Sequence, residues 1–298
     1  MSPPLRKILI TGASGFLGWH LCQAARDRWQ VFGLGRRRTI QLSGVTPLAA
    51  DLTDFGTVKS LFSQINPAGV IHAAAVARTD LCQNSPASTW TINVSVSQFL
   101  AGICAEAGCP MVLVSTDLVF DGRSPPYTES DPPNPICRYG EQKAQAERAV
   151  WARHPHASIC RLPLLAGAGC GPDPTFLAHT IKSLAAGQAV TLLTDEWRTP
   201  VDAKSAARGL LQALENRRTI LHLGGRTRIS RYELGVKIAR RTGARTNLLI
   251  PASLDDSHWP APRPADVSLD SSRAFGRGYD PVDLNDVLDR CIRAAQKQ

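Results

Sequence analysis

No uninterrupted apolar run in these 298 residues approaches the roughly 18 needed for a helix to span a bilayer. The apolar stretch after Lys7 is too brief for a signal-peptide core, so a cytoplasmic protein without membrane contact is expected. None of the eight cysteines forms a C-x-x-C pair, and no Cys/His group has zinc spacing. No metal is expected, and the thiols should be reduced and mostly buried. A dense Lys/Arg stripe with interleaved aromatics is missing, which removes nucleic acid as the expected partner. Fixed-period repeats and low-complexity tracts are missing too, so neither a solenoid nor a disordered chain fits.

What is present suits a sizeable core. Apolar residues make up 43% and charged residues 20%, compatible with one large domain or two unequal ones. The net charge of +9 reads mainly as a basic surface. Its functional reading is attraction of an anionic small molecule, such as a dinucleotide or a nucleotide-sugar.

The chain alternates strand and helix signals. Residues 7–11 and 30–34 are apolar strand runs on either side of a helical pattern from Phe16. Asp51 to Asp54 offers N-cap chemistry for a helix ending near Asn66-Pro67. Further strands are expected at 69–72, 110–116 and 158–162, with helices over 86–108 and 139–153 and a proline-rich loop over 121–137. A short strand is expected at 220–223, and Ser230 with Glu233 forms a capping box. Asp280 and Pro281 are expected to open the C-terminal helix. The fold class is therefore α/β: a Rossmann-type doubly wound parallel sheet with a smaller C-terminal α/β substrate domain. Residues 1–165 form the dinucleotide-binding domain, with a segment around 198–225 returning to it, and 166–298 are mainly substrate-binding.

Gly12, Gly15 and Gly18 follow a strand and open a helix, where a pyrophosphate meets backbone N–H groups. At the end of the second strand, Arg36 and Arg37 stand where an acidic residue would select NAD. NADP is therefore expected over NAD. Tyr139 and Lys143 share one helix face, and a nearby ammonium favours phenolate, bringing the phenol toward useful acid–base strength. A hydroxyl from Ser115 or Thr116 is placed to share the substrate oxygen.

With these motifs the chain resembles the extended short-chain dehydrogenases/reductases, and more narrowly the dTDP-4-dehydrorhamnose reductase-like group. The resemblance rests on residues 11–18 (TGASGFLG), 115–122 (STDLVFDG), 126–131 (PYTESD), Tyr139-Gly140-Glu141-Gln142-Lys143, 198–201 (RTPV) and Arg263-Pro264. It implies that Thr116, Tyr139 and Lys143 are catalytic. Tyr139 would donate the proton as NADPH delivers hydride, with Lys143 also on the nicotinamide ribose. It implies cofactor contacts from Gly12, Ser14, Gly15, Phe16 and Leu17. It adds Ala73, Ala74 and Ala75, Ser115, and Asp51 with Leu52 near the adenine. Asp117, Arg198 and Arg263 would meet the substrate, a small molecule of the nucleotide-sugar type. A homodimer is the assembly to test for. Leu118 and residues 161–167 (RLPLLAG) lack the aromatics usual in that group, so its sugar is not carried over with its fold. Two alternatives stand beside the reductase. One is a non-catalytic, cofactor-binding regulatory subunit like the methionine adenosyltransferase β subunit. The other is a nucleotide-sugar epimerase or dehydratase.

Overall fold

The structure is a computed structural model that describes residues 4–167, 175–215, 218–256 and 259–295. The first half runs β1 (Lys7–Thr11), α1 (Phe16–Ala25), β2 (Gln30–Gly35), β3 (Val45–Ala49), α2 (Phe55–Ile65) and β4 (Gly69–His72). It continues through α3 (Thr79–Asn84), α4 (Pro86–Trp90), α5 (Val96–Glu106), β5 (Met111–Thr116), α6 (Arg138–Arg153) and β6 (Ser158–Leu162). Between α4 and α5 the single helical run expected from Pro86 is wound as a π-type turn over Thr91–Ser95.

The second half opens with β7 (Leu165–Ala166), α7 (Phe176–Ala185), β8 (Val190–Leu193), β9 (Trp197–Arg198) and β10 (Val201–Asp202). It closes with α8 (Ala203–Glu215), β11 (Ile220–His222), β12 (Ile229–Ser230), α9 (Arg231–Thr242), β13 (Leu249–Ala252), α10 (Ser272–Phe275) and α11 (Leu284–Ala295). Helix α11 starts later than expected, so Asp280 and Pro281 are not its cap and first turn. The carboxylate of Asp283 accepts from the Asn285 N–H at 2.8 Å instead, and the Asp283 carbonyl accepts the helical bond from Val287.

One seven-stranded sheet organises the chain, in the order β3-β2-β1-β4-β5-β6-β11, with every pairing parallel. Strand β3, at the edge, carries Pro47 in its middle and was not anticipated from the sequence. Period-two alternation sorts the core between the two faces. Ile8 and Ile10 of β1 pack with Leu21 and Cys22 of α1 and Leu210 of α8. Leu9 points the other way, to Phe62 of α2, Leu100 of α5 and Val150 of α6. Each such fully buried Leu or Ile stabilises the fold by about 1.5–3 kcal/mol. Another cluster joins α7, α9 and α11 through Ile181, Ile238, Leu288 and Leu192 of β8. The seven described cysteines are buried and unbridged, and Cys170 lies outside the described residues.

The strand order reverses direction between β1 and β4. In open parallel sheets that is where the C-terminal strand ends leave a crevice for a ligand.

Candidate functional site

Gly12 closes β1 at φ 71°, and a Cβ there would lie 2.8 Å from the Ala74 nitrogen. Only glycine lets this turn settle against the loop after β4. A Cβ at Gly18 would sit 2.0 Å from the Gly12 carbonyl oxygen, so the first turn of α1 packs directly on the strand end. Gly15 is the N-cap of α1 and brings no side chain to its N–H groups. A helix start left open in this way, beside a glycine cradle, fits a pyrophosphate. The loop after β4 is fixed from below. Thr11 Oγ1 lies 2.7 Å from His72 Nδ1 and accepts from the Ala74 N–H at 3.3 Å. Asn93, in the π-type turn, accepts from the Val76 N–H at 2.8 Å and donates to Gln142 of α6 at 2.8 Å.

The expected cofactor residues gather around this turn. Leu17, Ala73 and Ala75 line the adjoining cleft, and Ala74 abuts Gly12. The Phe16 ring meets His20 edge-on at 5.1 Å and stands where a Cβ on Gly167 would be. Ser14 lies beside Gly35 at the end of β2. Arg36 and Arg37 follow there as exposed side chains. Asp51 stands close by. Its carboxyl is held low first by the Thr53 N–H and then by the Thr53 hydroxyl, with Arg36 and Arg37 adding to the effect. Leu52 packs against the core beneath α2.

A cleft of about 550 Å³ opens from the turn across the ends of β5 and β6. Ser115, Thr116, Asp117 and Tyr139 line it. Lys143 is buried one helical turn beyond Tyr139 and does not reach its wall. The two candidate hydroxyls part company. Ser115 Oγ donates to Glu147 at 2.5 Å, away from the cleft. Thr116 Oγ1 lies 3.1 Å from Asp117 Oδ1 and accepts from the Leu118 N–H at 3.2 Å.

Tyr139 departs from the expectation of a lowered phenol. Burial pushes its pKa up, and Cys82, Asp117 and Cys137 push it further. The phenolate loses its solvation here and faces further negative charge. Lys143 is itself lowered to about 8 by burial, against which Glu147 acts.

The far wall of the cleft carries charge. Arg198 and Arg263, expected at the substrate, are joined by Arg231, and all three converge on Glu196. Their distances to its carboxylate are 2.8, 2.8 and 3.0 Å for Arg198, Arg263 and Arg231 respectively. Burial pushes the Glu196 carboxyl up, but Arg231, Arg198 and Arg263 outweigh it and bring it down to about 2. The Arg231 guanidinium also lies over the Phe176 ring at 4.4 Å. Glu196 and Arg231 were not foreseen. The only sequence signal was the Ser230 capping box, which places Arg231 at the first position of α9. Among the described residues, Arg231 Nη1, Arg263 Nε and Asp117 Oδ2 have no hydrogen-bond partner. All three atoms are closed off from solvent, so they are unsatisfied within the wall itself.

Asp117 is pushed up to about 6, first by burial, with Arg198 at 3.6 Å opposing. A carboxyl raised on folding contributes its stability below the unfolded value of 3.8 and loses it as pH rises through about 6. Asp117→Asn should therefore raise the denaturation midpoint at pH 8, and the gain should shrink steadily to nothing by pH 4. Urea titrations at both pH values check this, and a gain that persists at pH 4 would contradict the cause given.

The model of the RmlD substrate binding domain family matches residues 6–296. The methionine adenosyltransferase 2 subunit beta of Xenopus tropicalis is 32% identical over 291 residues, covering 91% of this chain and 82% of that protein. A "probable low-salt glycan biosynthesis reductase" of Haloferax volcanii is 32% identical over 275 residues, covering 90% of each. Among solved structures, a hypothetical dTDP-4-dehydrorhamnose reductase from Sulfolobus tokodaii superposes with a TM-score of 0.80 at 32% identity, covering 91% of this chain and 94% of that one. A dTDP-4-dehydrorhamnose reductase from Bacillus anthracis in complex with NADP has the same fold, with a TM-score of 0.87 at 21% identity over 98% of this chain and 100% of that one.

Proposed function

This chain belongs to the RmlD substrate binding domain family, and on that footing we propose that it is an NADP-dependent reductase of a nucleotide-linked keto-sugar. One observation carries the reading. Thr116 and Tyr139 line the same cleft as Leu17, Ala73 and Ala75 of the nucleotide turn. Proton donor and dinucleotide site therefore share one space, as a reduction requires.

When bound, NADPH supplies the hydride. The chain does the rest. Gly12, Ser14, Gly15, Phe16 and Leu17 hold the pyrophosphate at the open start of α1. Ala73 to Ala75 flank the dinucleotide, and Asp51 with Leu52 border its adenine end. Ser115 and Lys143 lie on the nicotinamide side. Tyr139 is kept protonated by burial, which suits a proton donor to the carbonyl oxygen. Thr116 Oγ1 steadies the same oxygen once its hydrogen turns from Asp117 Oδ1, which it meets at 3.1 Å. Asp117 accepts a sugar hydroxyl, while Arg198, Arg263 and the newly placed Arg231 take the anionic part of the substrate. Residues 166–298 form most of this substrate side.

Screening NADPH oxidation against a panel of nucleotide-linked keto-sugars tests the proposal, and turnover of at least one member is expected. The similarity to methionine adenosyltransferase β subunits favours a second reading, a cofactor-binding subunit that serves a partner protein. Tight NADPH binding without turnover of any panel member would decide for it.

The cofactor preference is separately testable. Arg36→Ala with Arg37→Ala should raise the NADPH dissociation constant about tenfold or more, the loss of about 1.4 kcal/mol expected when a charge-assisted phosphate contact goes. NADH affinity should change less than about twofold, because it lacks the 2′-phosphate. Equal losses in fluorescence titrations would remove the arginines from cofactor choice.

A further inference from the structure

Lys143 is buried, with 2% of its surface exposed. A buried ammonium is costly unless something answers its charge. The groups facing it are few. From β4 comes His72, pushed down to about 3 by burial and then by Lys143, and so neutral. Its ring is held by Thr11 at 2.7 Å and Ser97 at 3.1 Å. At the end of β5, Ser115 and Thr116 offer uncharged hydroxyls, and Asp117 beyond them acts on Tyr139. On α6 itself Tyr139 lies one turn back, and Glu147 lies one turn ahead on the same face.

Glu147 is 4% exposed, and both of its carboxylate oxygens are engaged. Arg161 of β6 donates to Oε2 from Nη2 at 2.8 Å and to Oε1 from Nε at 3.1 Å. Ser115 Oγ donates to Oε1 as well. Arg161 directs the remainder of its guanidinium elsewhere. It lies 5.0 Å over the Phe120 ring, and its Nη1 is 3.4 Å from His222 Nε2. Among the described residues no ion pair within 4.0 Å joins Glu147 to Lys143, so the fixed carboxylate acts on the ammonium through space, from one turn along α6.

We infer that Glu147 is a positioning residue for the reduction: clamped by Arg161 and Ser115, it supplies the counter-charge to Lys143 and ties the helix of Tyr139 to the strand of Thr116. The catalytic half of this inference rests on the reductase reading, and the Lys143 half stands without it. The arrangement also explains why Ser115, one residue from Thr116, does not share the substrate. Its hydroxyl is spent on α6.

Glu147→Gln alone leaves Arg161 uncompensated in the interior and can prevent folding. The decisive variant is therefore Glu147→Gln with Arg161→Gln, which removes both charges and keeps hydrogen-bonding amides in place. Isotope-labelled lysine is titrated by NMR, with the Lys143 resonance assigned by its loss in Lys143→Met. The same variant is assayed for kcat/KM with NADPH across pH. Lys143 should titrate about one pH unit or more below its wild-type midpoint. The alkaline limb of kcat/KM should move down with it, while KM for the sugar holds. An unmoved Lys143 midpoint overturns the counter-charge. A moved midpoint with an unmoved alkaline limb overturns the positioning role. A wild-type chain inactive on every substrate strikes down the reductase reading instead, and the NMR midpoint still decides what Glu147 does to Lys143.

Discussion

Tyr139→Phe should lower kcat by about 10²–10⁴-fold while leaving the NADPH dissociation constant within about twofold, the range set by losing one general acid. The substitution removes a single oxygen and keeps the ring that fills the space between Cys82 and Cys137. Stability should therefore change little, which separates a chemical loss from a structural one. The phenol is raised by burial, so under the proposed mechanism the wild type should stay competent as a proton donor well above neutral pH. Single-turnover kinetics with prebound NADPH would isolate the step. Undiminished hydride transfer in the variant would take Tyr139 out of the mechanism.

Glu196→Gln should cost about 3–5 kcal/mol of stability at pH 7, the usual penalty for removing one side of a buried ion pair. The glutamine fills the same volume, but the buried Arg198 and the partly exposed Arg231 and Arg263 would be left facing one another. The pH dependence identifies the cause. The folded carboxyl is depressed to about 2 from 4.5, so its contribution is fully present above 4.5 and is lost as pH falls through about 2. The gap between wild type and variant should thus be constant from pH 7 to 5 and narrow below 4.5. Guanidinium denaturation curves would show this. A gap that does not narrow in acid would mean the glutamate contributes by shape alone.

The N-terminal half was largely legible in the sequence because buried parallel strands read as unbroken apolar runs. Residues 7–11, 69–72 and 111–116 are of that kind, the first closed by Gly12 and the second by the alanines 73–75. Strand β3 was hidden for the opposite reason. As an edge strand it is mostly exposed, and its sequence, Val45-Thr46-Pro47-Leu48-Ala49, lacks the apolar run. Helix α3, six residues with two polar ends, gives too little periodicity to register. The charged wall of the cleft was hidden by distance along the chain. Glu196 and Arg231 are 35 apart and meet only because β9 pairs antiparallel with β12, Trp197 opposite Ser230. The same pairing lets the Arg231 N–H donate to the Glu196 carbonyl at 3.1 Å. Two-residue bridges of that sort leave no pattern to read. The phenol of Tyr139 was misjudged because spacing shows which charges are near, and burial shows how much solvent has been lost.

Pro47 has one more effect, on how the protein behaves among copies of itself. The N–H of Ala50 donates inward to the Gly35 carbonyl of β2. Alternation by two then sends the N–H positions of Thr46 and Leu48 inward as well, and that of residue 47 outward. Proline therefore removes a donor from the open rim and costs the ladder nothing. An incoming strand would find its docking register broken at the centre of a five-residue edge. The opposite rim, Ile220–His222, is only three residues long. A seven-stranded sheet with both margins blunted in this way resists the edge-to-edge stacking that starts fibrils.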